Sequence, residues 1–170
     1  MSGLALIYTG NGKGKTTAAL GLILRNIGHR HKIALIQFIK SAPQGEHEAL
    51  KLFPEQVEVY LGGAGFTWTK NEKEHEAKAK EAWNYTKELI AQNRHQLIVL
   101  DEVTYAFENG YLSEDEFMEF LSLHKENKTI VITGRRASLK LCQWADMVST
   151  VEETKHHYRS GVPAQKGVEF

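Results

Sequence analysis

The chain has 170 residues, 42% hydrophobic and 25% charged, which is ordinary for a soluble globular domain and long enough to build a core without disulfides or metals. Twenty-one basic residues balance twenty-one acidic ones, so bulk charge holds neither nucleic acid nor a membrane surface. The one cysteine, Cys142, suits a reducing compartment; there is neither a signal peptide nor an apolar run near the ~20 residues of a membrane span, and a cytoplasmic protein is expected.

Residues 4–8 form a short unbroken apolar run, as a strand buried on both faces should. A glycine-rich turn follows, then a helical pattern over 15–27, with Gly28 placed to end it. Residues 33–38 read as a second buried strand, 46–53 as a short helix and 57–61 as a third strand, before the loop opened by Gly62, Gly63, Ala64 and Gly65. Asn71 and Glu74 have capping-box spacing. The helix they announce carries Ala79, Ala82, Trp83, Thr86 and Ile90 on one inward stripe. Residues 97–100 are a fourth strand, Ser113 and Glu116 a second capping box, and 129–133 a fifth strand. A helix over 138–144 and an outer strand over 147–151 precede a polar, irregular tail. Short apolar runs alternating with helical patterns imply βαβ units. The fold class expected is therefore α/β: a single domain over 1–170, with a mostly parallel sheet of about six strands and helices on both faces; the glycine- and lysine-rich turn Gly10-Asn11-Gly12-Lys13-Gly14-Lys15-Thr16-Thr17 between the first strand and its helix makes it P-loop NTPase-like (RecA-like).

The strongest chemical signal is Thr9-Gly10-Asn11-Gly12-Lys13-Gly14-Lys15-Thr16-Thr17. It follows a strand and opens a helix, the context in which a phosphate-cradling P-loop works. Glycines let successive backbone N–H groups converge on one anion, and the helix N-terminus adds its positive dipole end. Lys15 supplies charge to phosphate oxygens and Thr16 a hydroxyl for Mg²⁺. The strict pattern has glycine where this chain has Thr9. Downstream, the strand ending in Asp101-Glu102 reads as the acidic strand end that faces a P-loop and can hold Mg²⁺. Arg135 and Arg136 stand at another strand end, on the nucleotide side, where arginine pairs with phosphate or carboxylate or is simply a surface residue. Phe66 and Trp68 are, by residue type alone, more often core than ligand contacts. His156 and His157 are adjacent, but no other ligand stands at zinc-like spacing. Cys142, on an expected helix, reads as packed rather than reactive.

Taken together, GNGKGKTTAALG, IQFIK, GFTW, VLDEVTYAFENGYL, VITGRRA and KHHYRSGVPAQKGVEF resemble the P-loop ATP:corrinoid (cob(I)alamin) adenosyltransferases, from residue 10 to 170. Thr9 is that family's own form of the loop. The resemblance implies transfer of the 5′-deoxyadenosyl group of ATP to the cobalt(I) of a corrinoid with release of triphosphate, in adenosylcobalamin biosynthesis or salvage. The phosphate chain is held reversed relative to ordinary P-loop ATPases. It also implies that Lys15, Thr16 and Glu102 are catalytic, and that Thr16 and Glu102 hold Mg²⁺. Gly10, Asn11, Gly12, Lys13, Gly14, Thr17, Arg25 and Arg135 would complete the ATP site. By the same resemblance Phe66 and Trp68 face the corrin and exclude an axial ligand. The chain carries no redox motif, so an external donor such as a flavodoxin or a flavin reductase is expected, as is a homodimer. Many members carry an N-terminal extension that folds over the site; this chain begins directly in its first strand, so that lid is expected to be absent or replaced. Two other classes share the P-loop: a phosphotransferase or ATPase, which would release phosphate, and a non-enzymatic nucleotide-binding regulator, which would not turn over. Neither accounts for GFTW or the tail.

Overall fold

The computed structural model describes residues 3–65 and 72–169. Six strands form one sheet: β1 (Leu4–Thr9), β2 (Ile33–Gln37), β3 (Val57–Leu61), β4 (Leu97–Asp101), β5 (Thr129–Thr133) and β6 (Met147–Thr150). The order is β3-β2-β4-β5-β1-β6 and every pairing is parallel. The helices are α1 (Lys15–Gly28), α2 (Gly45–Leu50), α3 (Glu72–Ala91), α4 (Thr104–Glu108), α5 (Glu114–His124) and α6 (Leu139–Trp144), and a 3₁₀ turn spans His157–Ser160.

Strand alternation decides which helix covers which face. On β2, Ile33 and Leu35 join Leu97, Val99 and Val131 beneath α1 and α2. Ala34 and Ile36 point the other way, with Ile98, Leu100, Ile130 and Ile132, onto α3, α5 and α6. The expected stripe of α3 is buried throughout: Ala79, Ala82, Trp83, Thr86 and Ile90. Trp83 packs on Phe117 of α5 with ring centroids 4.8 Å apart. Central strands β2 and β4 are buried at every position, whereas edge strand β6 is largely exposed; an unbroken apolar run belongs to the former only.

Boundaries moved where local signals were thin. Gly28 is the last residue of α1 rather than the one beyond it, and the positive φ of the exit falls on Arg30 (φ 58). The short helix runs over Gly45–Leu50 instead of 46–53. α4 was not expected at all. Ser113 does cap α5, accepting from the Glu116 N–H; Asn71 lies outside the described residues.

Because all strands are parallel, their C-terminal ends share one edge of the sheet. The chain leaves β1 toward one face and leaves β4 and β5 toward the other. Such divergence opens a crevice at the strand ends, the usual ligand position in open α/β sheets.

Candidate active site

The loop after β1 is shaped by close contact with β6. Gly10 has φ 99, and a Cβ there would lie 2.3 Å from the Val151 carbonyl oxygen; only glycine fits. Thr9, at the position of the strict pattern's first glycine, uses its hydroxyl to accept from the Ala137 N–H at 3.2 Å. Beyond it, the loop and the first turn of α1 line a cavity of about 740 Å³ with Asn11, Gly12, Lys13, Gly14, Lys15, Thr16 and Thr17 on one side. Lys15 Nζ folds back to donate to the Gly12 carbonyl at 2.7 Å. Its pKa is lowered, first by burial and then by nearby Arg135. The unpaired N–H groups that open a helix point out of its N-terminus, so this wall presents amides and an ammonium together.

Beside this wall lies the C-terminal end of β4, with Asp101 behind Thr16 and Glu102 in the lining. Asp101 is fully buried and receives three donors: Thr16 Oγ1 at 2.9 Å and Thr133 Oγ1 at 2.6 Å on Oδ1, and Gln37 Nε2 at 2.9 Å on Oδ2. Gln37 is the register partner of Asp101 across β2 and β4. Its Oε1 faces His47 Nε2 at 2.6 Å, and His47 Nδ1 accepts from the Gln44 N–H at 2.6 Å. Burial lowers the His47 pKa, favouring the neutral imidazole that this pattern requires. Glu102, next in the chain, lines the cavity with a left-handed backbone (φ 60), and its N–H donates to Thr133 Oγ1 at 2.9 Å. Sparsely populated dihedrals persist where the surroundings over-determine them. Burial, and then the adjacent Asp101, raise the Glu102 pKa. The site therefore sets anion-binding groups beside hard oxygen donors, as a phosphate chain with its counter-ion requires.

Several lining groups were not assigned from the sequence. Lys40, in the loop that follows β2, pairs with Glu46; its position just beyond a parallel strand end was the available signal. The tail returns to the cavity through His156, Arg159 and Glu169. Arg159 pairs with Glu153, and Lys13 Nζ stands 3.5 Å from Glu169 Oε1. Among the described residues this leaves Lys15 and Arg135 as lining cations outside a carboxylate ion pair. His156 and His157 do gain a third possible metal ligand in Glu169, the three ligand atoms lying within 4.8 Å, although the Lys13 ammonium already brings cationic charge to that carboxylate.

Two expected residues are not in the cavity lining. Gly10 shapes the loop from behind. Arg25 is exposed on α1, ten residues and so ~15 Å along the axis from Lys15, and the structure does not bring it to the cavity. Phe66 and Trp68 lie outside the described residues. The Cys142 thiol is pushed up by burial, as suits a packed residue.

The ATP:corrinoid adenosyltransferase family described as BtuR/CobO/CobP matches residues 1–170. The chain belongs to the ATP:corrinoid adenosyltransferase family. Transfer of an adenosyl group from ATP to a corrinoid is the activity that goes with it. Corrinoid adenosyltransferases of Pseudomonas aeruginosa and Escherichia coli K12 are each 38% identical over 170 residues, covering 99% of this chain and 84% and 86% of theirs. One from Sinorhizobium is 42% identical over 172 residues, with 99% and 80% covered. A KaiC-like protein of Pyrococcus horikoshii superposes with a TM-score of 0.58 at 15% identity, over 91% of this chain and 75% of that one; the likeness places the fold among the P-loop NTPase-like, RecA-like domains. Among the described residues no helix is long and apolar enough to cross a membrane.

Proposed function

We propose that the cavity binds ATP and that the chain transfers its 5′-deoxyadenosyl group to the cobalt(I) of cobalamin or a precursor corrinoid. The cobalt(I) electron pair forms the Co–C5′ bond as the C5′–O bond breaks; triphosphate leaves with the electron pair of that C5′–O bond, and cobalt ends formally as cobalt(III). The observation that carries this reading is the P-loop wall and Glu102 lining one cavity, with Asp101 buried behind Thr16, in a chain of this family.

Negative charge grows on the phosphate chain as the bond breaks. Lys15, Arg135 and the N–H groups opening α1 stand ready where it grows, and donors fixed in advance stabilise a transition state without reorganising. Held with its phosphates reversed, ATP would present C5′ away from this wall. Thr16 and Glu102 suit Mg²⁺: the Thr16 proton is committed to Asp101, leaving oxygen lone pairs to the cavity, and the raised Glu102 carboxyl gains from a cation. Magnesium would supply charge neutralisation on the triphosphate. Phe66 and Trp68 would wall the corrin and exclude its axial ligand. The reading further includes a cytoplasmic homodimer and reduction of cobalt by a flavodoxin or flavin reductase.

The test is an anaerobic mixture of the protein with ATP, Mg²⁺ and chemically reduced cob(I)alamin, followed by cobalt(I) absorbance. Loss of that absorbance, with a light-sensitive product and free triphosphate, is expected. Release of phosphate instead, or no change despite ATP binding, would overturn the transferase reading.

A further inference from the structure

Asp101 can be approached from many directions, since a carboxylate offers about four acceptor sites and turns easily about its last bond. Here the turn is prevented from behind. The Gln44 backbone N–H has a fixed polarity, so His47 Nδ1 must be the acceptor and Nε2 must carry the proton. That proton goes to Gln37 Oε1, which directs the Gln37 NH₂ group at Asp101 Oδ2. Oδ1 is thereby turned toward Thr16 and Thr133. A hydroxyl has one proton; once Thr16 gives it to Asp101, only lone pairs remain for the cavity. Behind the half-buried Thr16 the side chains of the row are buried: Gln37 is 1% exposed, His47 5%, Asp101 and Thr133 0%. At low dielectric, a fully satisfied row of this kind specifies one arrangement.

We propose that Gln37 and His47 are positioning residues which, through Asp101, hold the Thr16 hydroxyl oxygen in the orientation that accepts a divalent cation bound with ATP. The inference rests on the reading of the cavity as an ATP site. It also gives the β2–α2 loop a task, because Gln44 and His47 belong to the same segment as the lining residues Lys40 and Glu46. The start of the next loop rests on that segment: the Gly63 and Gly65 N–H groups donate to the Lys40 and Ile39 carbonyls, both at 3.1 Å. A Cβ at Gly63 would lie 1.8 Å from the Ile39 oxygen, so the two loops meet backbone to backbone.

The readout is the ratio of ATP dissociation constants in EDTA and in excess Mg²⁺, measured by calorimetry on the full chain. Partners behind a metal ligand commonly contribute 10- to 100-fold in metal affinity. His47→Ala should lower the ratio about tenfold while leaving metal-free ATP affinity unchanged. Gln37→Met, similar in volume but without the amide, should do the same. His47→Gln, which keeps a donor toward Gln37, should recover most of the loss. An unchanged ratio in folded His47→Ala or Gln37→Met, or a His47→Gln as impaired as His47→Ala, would overturn the relay. Wild-type protein that binds no ATP would overturn the underlying reading and the relay with it.

Discussion

Asp101→Asn is nearly isosteric, yet the row of hydrogen bonds behind it makes the change expensive. If the new amine takes the place of Oδ2, it faces the Gln37 NH₂ group across what was a 2.9 Å hydrogen bond. Gln37 can turn its amide over, but its NH₂ then meets the Nε2 proton of His47. His47 can change tautomer, but its Nδ1 proton then meets the Gln44 N–H, which cannot invert. One buried donor is left unsatisfied wherever the defect is moved, at a cost of ~1–3 kcal/mol. The two hydroxyl bonds on Oδ1 also lose their charge assistance, ~1 kcal/mol each. Relief of repulsion at Glu102 acts in the opposite direction, and a net loss of about 2–3 kcal/mol follows. For a chain of this length that lowers the melting temperature by about 4–12 °C. The other amide orientation spares Gln37 but sets the amine against Thr16, turning the Thr16 proton to the cavity and weakening Mg²⁺ binding. Scanning calorimetry of the ligand-free protein measures the first effect. Adding His47→Ala to Asp101→Asn should cost less than the two changes separately, because Gln37 is then free to turn. A melting temperature within ~1 °C of wild type, or strictly additive losses, would refute the argument.

Lys15→Ala should weaken ATP binding by at least tenfold, the loss of one charge-assisted phosphate contact of ~1.5–3 kcal/mol; calorimetry showing equal affinity would remove Lys15 from the site. Glu102→Gln should raise the Mg²⁺ requirement for adenosylation and also raise the melting temperature of the ligand-free protein at pH 7. The sign follows from its raised folded-state pKa: above the ordinary value of 4.5 the native state holds the proton longer than the unfolded chain, so this group's contribution falls as pH rises and stays reduced above the raised pKa. A pH–stability curve identical for wild type and variant would contradict it. Phe66→Ala and Trp68→Ala should spare ATP binding and slow adenosylation from cobalt(II) more than from prepared cobalt(I), as paired rate measurements would show; equal slowing would mean that neither residue acts by excluding an axial ligand.

The central strands were legible because both faces of the sheet are covered there. Residues 129–133 matched their strand to the residue, since a doubly buried strand must be apolar or β-branched without interruption; residues 57–61 also matched, although this edge strand is only half-buried and carries Glu58, because its alternating Val57, Val59 and Leu61 stand between turn signals. Only the type of each helix was equally clear. Five residues, Thr104–Glu108, are too few to display a helical period, so α4 had no signal. The exit of α1 uses Arg30 in the left-handed region, a choice made by the turn after His29 rather than by the nearest glycine. In the site, Lys15, Thr16 and Glu102 could be singled out because a P-loop and an acidic strand end have fixed spacing along the chain, whereas the residues alone left Arg135 open between a phosphate partner and a surface arginine. Gln37, His47 and Thr133 could not, because each matters only through which strand or loop lies beside β4. Arg25, named from the family resemblance, stands about three turns along α1 and outside the cavity lining, because each residue adds to the rise of the helix.

The ion pair between Lys13 and Glu169 ties the far end of the chain to the loop that follows its first strand. Anything fused beyond that point leaves from the rim of the cavity, whereas Gly3 lies at the opposite edge of the sheet, about the ~20 Å length of a six-residue strand away. An affinity tag or surface linker therefore belongs at the front of the polypeptide. A small fluorophore attached at the back becomes a reporter, because a phosphate chain drawing Lys13 away from Glu169 would loosen the segment that carries the dye.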